Sequence, residues 1–173
     1  MLISKSKLQY KCLCLLIFAT VIVGCATDDK KQDDFYSVGC GSDCRRIPLL
    51  KPYFASSTTG IDGQWYLDNG QEGIKVQFLN VVDSVIVSCY YNASITVPEN
   101  RDTTWYIHEP SKIKMYKFSS EAKFQEKLNE FTDQPAVFLD IKNLYRELVD
   151  KGYLDWFPDD FKAKKSSRIA SIE

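Results

Sequence analysis

Residues 74–97 read IKVQFLNVVDSVIVSCYYNASITV. The runs of Val, Ile, Phe and Tyr in this stretch are typical of β-strands, which favour β-branched and aromatic side chains. Asp83-Ser84 interrupts the apolar run at a point where two polar residues are expected to form a turn. The stretch therefore predicts two antiparallel strands joined as a hairpin.

Strand patterns also flank this stretch on both sides. Asn69-Gly70 separates QWYLD at 64–68 from the strand that starts at Ile74, and this dipeptide is favoured where a hairpin turn requires positive φ. Residues 103–109 (TTWYIHE) and 112–118 (KIKMYKF) alternate apolar and polar side chains around Pro110-Ser111. Together these segments predict an antiparallel meander sheet of four or five strands.

Two helices are predicted after the strands. Ser119 or Ser120 is a suitable N-cap for the first helix, whose apolar stripe is Phe124, Leu128 and Phe131. Asp140 is a suitable N-cap for the second, which Gly152 is expected to end and whose stripe is Ile141, Leu144, Tyr145, Leu148 and Val149. Residues 136–139 between the helices suggest a short strand. The fold class expected is α+β, with two C-terminal amphipathic helices packed on the meander sheet.

One domain is expected over residues 47–163. Residues 47–54 (IPLLKPYF) contain two prolines, which favour an extended segment laid against the domain. Pro158 is expected to open a short helix over 159–163, and residues 164–173 are expected to form a disordered tail.

The N-terminal segment has the features of an export signal. Lys5, Lys7 and Lys11 precede an uncharged apolar run over residues 12–24. That run is too short to cross roughly 30 Å of hydrocarbon as a helix. Residues 1–24 are therefore predicted to be a cleaved signal peptide.

The sequence Ile22-Val23-Gly24-Cys25 resembles the lipobox of bacterial lipoproteins, with Val23 in place of the commoner Ala or Ser. The resemblance implies cleavage by signal peptidase II before Cys25 and acylation of Cys25, which would anchor the protein to a membrane through lipid. Ala26 follows, where an Asp would imply retention in the inner membrane. The expected location is the outer membrane, and the leaflet stays open.

Residues 25–46 are predicted to form a lipidated cysteine and a flexible tether. The part ATDDKKQDD at 26–34 has no large apolar side chain, so it is expected to be solvated. Its acidic residues also resemble the surface-export signal of Bacteroidetes lipoproteins, which would place the domain outside the cell. Both interpretations stay open.

Three cysteines remain once the signal is removed and Cys25 is acylated: Cys40, Cys44 and Cys89. In an oxidising envelope Cys40 and Cys44 are a candidate disulfide, which would leave Cys89 as a buried free thiol. Pairing of Cys89 with either of the other two is the alternative. No metal site and no cofactor is predicted, because a zinc site would lack a fourth ligand unless His108 supplied it.

His108 is the only histidine, so Ser-His or Cys-His catalysis would have to pass through it. Its place in an alternating strand favours an ordinary structural histidine. His108 paired with Cys89 or with a nearby carboxylate would be the catalytic set of a hydrolase. The adjacent acidic residues of the sequence could instead be a glycosidase pair, but they are better explained as tether and helix-cap residues. No catalytic residue is therefore predicted.

A cluster of aromatic residues near the C-terminus is a candidate partner-binding patch: Tyr153, Trp156, Phe157 and Phe161. Rigid rings flanked by acidic residues are typical of recognition surfaces. The other interpretation is that these rings close one end of the core.

The charge balance indicates the kind of partner. Removal of the signal peptide takes away Lys5, Lys7 and Lys11, which leaves 19 of the 22 basic residues against 23 acidic residues. Nucleic acid is not an expected partner, because binding to its phosphates needs several clustered Lys or Arg side chains. A small acidic α+β domain on a lipid tether resembles immunity lipoproteins that neutralise secreted toxins. The strand pattern that ends in TTWYIHE at 103–109, followed by an amphipathic helix, is similar to uncharacterised proteins of such settings, and this resemblance covers residues 47–131. The function expected is a non-catalytic binding or inhibitory module with a protein partner. The alternatives are a structural subunit of an envelope complex and a hydrolase that uses His108.

Overall fold

The computed structural model describes residues 34–36, 44–69, 73–93 and 101–170. The predicted signal peptide and the lipobox, which includes Cys25, lie outside the described residues. So do Cys40 and Gly70. The chain from Asp34 onward forms one compact unit.

The α+β class is confirmed, and the described residues form two antiparallel sheets. The four-stranded sheet has the order β1-β2-β3-β4 and is built from β1 (Arg45–Pro48), β2 (Phe54–Ser57), β3 (Trp65–Asp68) and β4 (Ile74–Val76). The five-stranded sheet has the order β8-β7-β6-β5-β9 and is built from β5 (Phe78–Val82), β6 (Val85–Ala93), β7 (Arg101–Glu109), β8 (Lys114–Phe118) and β9 (Leu139–Asp140).

Gln77 is the residue at which the chain passes from one sheet to the other. Its backbone N–H donates to the carbonyl of Cys89 at 3.1 Å, and its carbonyl accepts from the N–H of Ile141 at 3.0 Å. Residues 74–82 were expected to form one strand, because their apolar pattern is continuous. The strand bends at Gln77, and the predicted single sheet becomes two.

Residues 47–54 were expected to be an extended segment lying against the domain. Instead β1 and β2 pair as a hairpin, with Ile47 opposite Ala55 and Pro48 opposite Phe54. The prolines do not prevent this pairing, because Pro48 lies at the end of an edge strand and Pro52 lies in the turn.

Three α-helices follow β8 in the described residues, the first of them before β9: α1 (Glu121–Leu128), α2 (Ile141–Lys151) and α3 (Asp159–Ala170). The caps of α2 are as predicted, since the Asp140 carboxylate accepts from the N–H groups of Lys142 and Asn143, and Gly152 ends the helix at φ 76°. The predicted stripe is wrong at Val149, which is 55% exposed. Ser120 occupies the cap position of α1 without a side-chain hydrogen bond.

The two ends of the domain differ from the predicted boundaries. Helix α3 continues to Ala170, beyond the expected start of a disordered tail, because residues 159–170 contain no Gly or Pro to stop it. At the N-terminal end, the side chain of Tyr36 is buried, and the centroid of its ring lies 4.9 Å from the centroid of the Phe157 ring. The part of the predicted tether around Tyr36 therefore belongs to the domain, since burying aromatic rings is favourable.

The core has two parts on opposite faces of the five-stranded sheet. The larger joins that sheet to the four-stranded sheet, to α2 and to the C-terminal aromatic residues, and includes Trp65, Leu79 and Leu148. The smaller lies under α1, where Phe124 and Leu128 contact the face that carries Val87. Side chains that alternate along β6 and β7 therefore enter different cores.

Candidate functional sites

His108 lies in the interior, on β7, with a side chain that is 2% exposed. Its Nε2 lies 3.4 Å from the hydroxyl of Ser88 on β6, and its Nδ1 has no hydrogen-bond partner. The rings of Tyr53 and Tyr106 lie 5.3 and 6.1 Å from the imidazole ring, measured between centroids. Burial lowers the pKa of His108 to about 4, so the imidazole is neutral in the folded protein at neutral pH.

Cys89 and His108 do not form a catalytic pair. Cys89 is opposite Trp105 and His108 is opposite Ile86 in the register of β6 and β7. Successive side chains of a strand point to opposite faces, so the Cys89 and His108 side chains lie on different faces of the sheet. Burial raises the pKa of the free Cys89 thiol to about 11, which keeps it protonated. The hypothesis of a Cys-His pair is wrong.

The carboxylate next to His108 in sequence also faces away from it. Glu109 alternates with His108 along β7, and its Oε1 lies 2.6 Å from Nζ of Lys112. The Lys112 ammonium, as a hydrogen-bond donor, lowers the pKa of Glu109. The Tyr116 hydroxyl donates to the same carboxylate at 3.3 Å. Glu109 is therefore engaged with β8 and the turn before it, and does not orient the imidazole of His108.

The four C-terminal aromatic residues lie against the larger core. Phe157 is buried, whereas Tyr153, Trp156 and Phe161 are partly buried and pack on the core residues. The indole N–H of Trp156 donates to the carbonyl of Pro48 at 3.0 Å, which fixes the C-terminal segment to β1. These rings thus close one end of the core, and partner binding by this cluster stays a prediction.

Trp156 also forms part of the wall of a surface groove of about 410 Å³. Leu50, Val81 and Leu154 contribute apolar surface to the groove, which runs between β5, α2 and the C-terminal segment. Of the described residues that line it, three carry a carboxylate and none is Lys or Arg; the three are Asp83, Glu147 and Asp155. Asp83 and Asp155 are exposed. Glu147 forms a salt bridge with Lys151, in which Oε1 and Nζ lie 2.6 Å apart.

The sequence pattern indicated Trp156 and the adjacent Asp155, but not the other residues of this groove. Asp83 was predicted only as a turn residue, and Glu147 only as part of a helix. Their separation in the sequence carries no periodic signal that would place them together. The groove forms because β5, α2 and the C-terminal segment meet around the larger core.

The cysteines beyond the predicted signal peptide can be placed only in part. Cys44 is disulfide-bonded, and Cys89 is a free, buried thiol. The alternative in which Cys89 pairs with Cys40 or Cys44 therefore does not hold. Pairing of Cys44 with Cys40 stays a prediction, because Cys40 lies outside the described residues.

The described part of the chain contains no group of three or more His, Cys, Asp or Glu side chains arranged to hold a metal ion. No helix in the same residues is both long enough and apolar enough to span a membrane.

No protein-family model, no curated protein and no solved structure matches this chain.

Proposed function

We propose that this protein is a lipid-anchored lipoprotein of the bacterial outer membrane whose domain is a non-catalytic binding or inhibitory module. Support for the anchor comes from the sequence, where a positive segment, an apolar run and a lipobox precede Cys25. Two or more acyl chains are needed for stable attachment, because a single chain binds membranes only reversibly.

The observation that carries the binding role is the position of Trp156 in the acidic groove. A partly buried Trp offers a rigid apolar contact, and such residues often dominate the free energy of protein binding. The exposed carboxylates of Asp83 and Asp155 line the groove together with apolar wall residues, so the groove complements a segment that carries both Lys or Arg and an apolar side chain. The proposed partner is therefore a protein with an exposed basic segment.

A hydrolase is less well supported by the same structure. Its general base would be His108, but the Ser88 hydroxyl that His108 contacts is fully buried, and Ser88 is not among the residues that line the pocket beside His108. A nucleophile must reach the substrate and be activated by a base that is itself oriented.

A peptide titration tests the groove. The probe is a short peptide of alternating Lys and Leu, and the readout is the indole N–H resonance of Trp156, identified by its loss in Trp156→Phe. We compare the unmodified chain with Asp83→Asn/Asp155→Asn and with the matched control Asp102→Asn/Glu126→Gln. Both double variants remove two exposed carboxylates, but only the first pair lines the groove.

The proposal predicts that the peptide shifts the Trp156 resonance and that the groove variant binds several-fold more weakly, while the control binds like the unmodified chain. Added salt should weaken binding, because exposed charges are screened within about 10 Å at moderate ionic strength. An unmoved Trp156 resonance would contradict the proposal. So would equal losses in the two double variants, since net charge alone would then explain binding.

The inhibitory role has its own test in cells. Deletion of the gene should make the cells sensitive to a toxin secreted by neighbouring cells, and the unmodified gene, but not the groove variant, should restore resistance. Unchanged survival in co-culture would contradict inhibition. Co-purification with membrane machinery instead of a secreted protein would favour the alternative, a structural subunit of an envelope complex.

A further inference from the structure

Each sheet ends in two edge strands, and β8 is the most open of these four. β4 has three residues and β9 has two, whereas β1 has two of its four residues buried. β8 has five residues, and none of their side chains is buried. All five pair with β7 on one side, and no strand among the described residues pairs with the other side.

The outer side of β8 presents backbone groups that a further strand can bind. In an antiparallel ladder the N–H and C=O groups of successive residues point alternately to the two sides of the strand. About half of the backbone groups of β8 therefore point away from β7. Within the described part of the chain, no hydrogen bond from another element reaches them. Exposed edges of this kind bind extended peptides, which add a strand to the sheet.

Apolar surface lies next to this open edge. Ile113, which ends the turn before β8 with φ 51°, and Met115 have side chains that are 57% and 46% exposed. Both line the pocket of about 190 Å³ beside His108, to which the four-stranded sheet contributes Leu67 and Ile74. Every second side chain of a strand added to β8 would lie on this face and would cover Ile113 and Met115.

The charges along β8 indicate which kind of strand fits. Lys114 and Lys117 are exposed, and neither forms a salt bridge with a carboxylate of the described residues. The carboxylates of the neighbouring turn and of α1 already pair with other lysines, in Glu109–Lys112 and Glu130–Lys127. Lysines on an edge strand disfavour pairing with a second copy, because like charges would meet. The same lysines favour a partner that carries carboxylates.

We propose that the outer side of β8 binds an extended acidic segment of a partner protein, which adds a sixth strand to the five-stranded sheet. Apolar side chains of the segment lie over Ile113 and Met115, and its carboxylates lie beside Lys114 and Lys117. None of these four residues lines the acidic groove at Trp156, which is proposed to bind a basic segment. The two sites therefore differ in position and in the charge of the partner, and either stands without the other.

The probe is the peptide Thr-Glu-Thr-Leu-Glu-Leu-Thr-Glu-Thr, which reads alike in both directions and so fits β8 in either strand orientation. Aligned with β8, it places its two Leu residues beside Ile113 and Met115, the central Glu beside Lys114 and one outer Glu beside Lys117. The second probe has Ser in place of both Leu residues.

The readout is the methyl resonance of Met115. The full chain is held in lipid nanodiscs with ¹³C-labelled methionine methyl groups, which labels only Met1 and Met115. The Met115 resonance is identified by its loss in Met115→Leu. The proposal predicts a saturable shift of this resonance with the Leu peptide. The Ser peptide should bind about tenfold more weakly, because it buries less apolar surface.

Methylation of the peptide's backbone nitrogens tests strand addition itself. One version is methylated at the even-numbered residues and the other at the odd-numbered residues, and only one of these two sets faces β8. A methyl group removes the N–H donor and blocks close pairing, so one version should lose binding at least tenfold while the other binds like the unmethylated probe.

A pair of double variants tests the charge of the edge. Lys114→Gln/Lys117→Gln should bind the Leu peptide several-fold more weakly. The matched control is Lys51→Gln/Lys164→Gln, which also removes two exposed lysines but changes neither β8 nor the pocket beside His108. The control should bind like the unmodified chain, which also corrects for peptide bound to the lipid. Thermal unfolding of both variants checks that each is folded.

Four results would overturn the proposal. The first is the absence of a saturable shift of the Met115 resonance. The second is equal affinity of the two methylated peptides, since binding would then not depend on pairing along β8. The third is an equal loss in the two lysine variants. The fourth is a Met115 resonance that shifts with protein concentration before peptide is added, because a second copy would then occupy the edge. None of these results bears on the groove at Trp156.

Discussion

The hydroxyl of Ser88 and Nε2 of His108 lie 3.4 Å apart across adjacent antiparallel strands, and both side chains are almost completely buried. Ser88 is opposite Tyr106, so this contact runs diagonally across β6 and β7. Among the described residues, Ser88 and His108 are the only fully buried polar side chains on this face of β6 and β7. A buried pair of this kind is costly to break, because the remaining group is left without a partner.

Ser88→Ala should therefore destabilise the domain by about 1–3 kcal/mol, since it leaves the second ring nitrogen of His108 unsatisfied as well. The measurement is urea unfolding followed by circular dichroism. Ser84→Ala is the control, because Ser84 is exposed in the turn between β5 and β6 and should change stability by less than about 0.5 kcal/mol. Equal effects of the two substitutions would show that the buried contact contributes nothing.

Stability should fall in weak acid because of His108. Burial lowers its pKa in the folded protein from 6.5 to about 4, so between these pH values the unfolded chain binds a proton that the folded chain does not. The free energy of unfolding is therefore highest above pH 6.5, where His108 is neutral in both states. It falls by up to about 3 kcal/mol as the pH drops from 6.5 towards 4.

This pH dependence is checked by unfolding the unmodified chain and His108→Asn across the same pH range. Asn does not titrate, and carboxylates contribute equally to both proteins, so the difference between the two curves isolates His108. The difference in free energy of unfolding between the two proteins should shrink as the pH falls from 6.5 to about 4. A difference that is independent of pH would mean that the imidazole is not buried in its neutral form.

Cys89 should resist alkylation in the folded protein. Its thiol is 1% exposed and its pKa is raised to about 11, so iodoacetamide at mildly alkaline pH should not modify it within an hour. In concentrated urea without reductant, mass spectrometry should show modification of Cys89, while Cys44 stays protected by its disulfide. Rapid labelling of Cys89 under native conditions would contradict its burial.

Asp140→Ala should destabilise the domain by about 1 kcal/mol, because the Asp140 carboxylate caps α2 through the N–H groups of Lys142 and Asn143. Asp140→Asn is the matched control, since its side-chain oxygen can still accept these hydrogen bonds and its cost should be only a few tenths of a kcal/mol. Thermal unfolding measures both. A loss as large in the Asn variant would mean that charge, rather than capping, is what Asp140 contributes.

The sequence predicted those parts of the fold that depend on local chemistry. The ends of α2 follow from Asp140 and Gly152, whose preferences are intrinsic to each residue. The pairing of β6, β7 and β8 follows from alternation along each strand. The division into two sheets could not be predicted, because the bend at Gln77 depends on contacts with Cys89 and Ile141, which are distant in sequence.

The same distinction applies to the candidate sites. Trp156 was singled out because aromatic residues concentrate locally in the sequence. Asp155 adjoins Trp156 in the sequence, whereas Asp83 and Glu147 reach it only through tertiary packing, as do most of the residues around His108. The strained backbone of Ile113 has no sequence signal, since Ile is a residue that this conformation disfavours.

Intact-mass spectrometry of the protein extracted from membranes of the producing bacterium tests the proposed anchor most directly. We expect a chain that begins at Cys25 and carries the added mass of a diacylglyceryl group, with or without a third acyl chain. A Cys25→Ser variant should be neither lipidated nor retained on membranes. A mature chain that lacks lipid, or a Cys25→Ser variant that is processed and stays with the membrane, would contradict the claim that this domain is held at the envelope by its N-terminal cysteine.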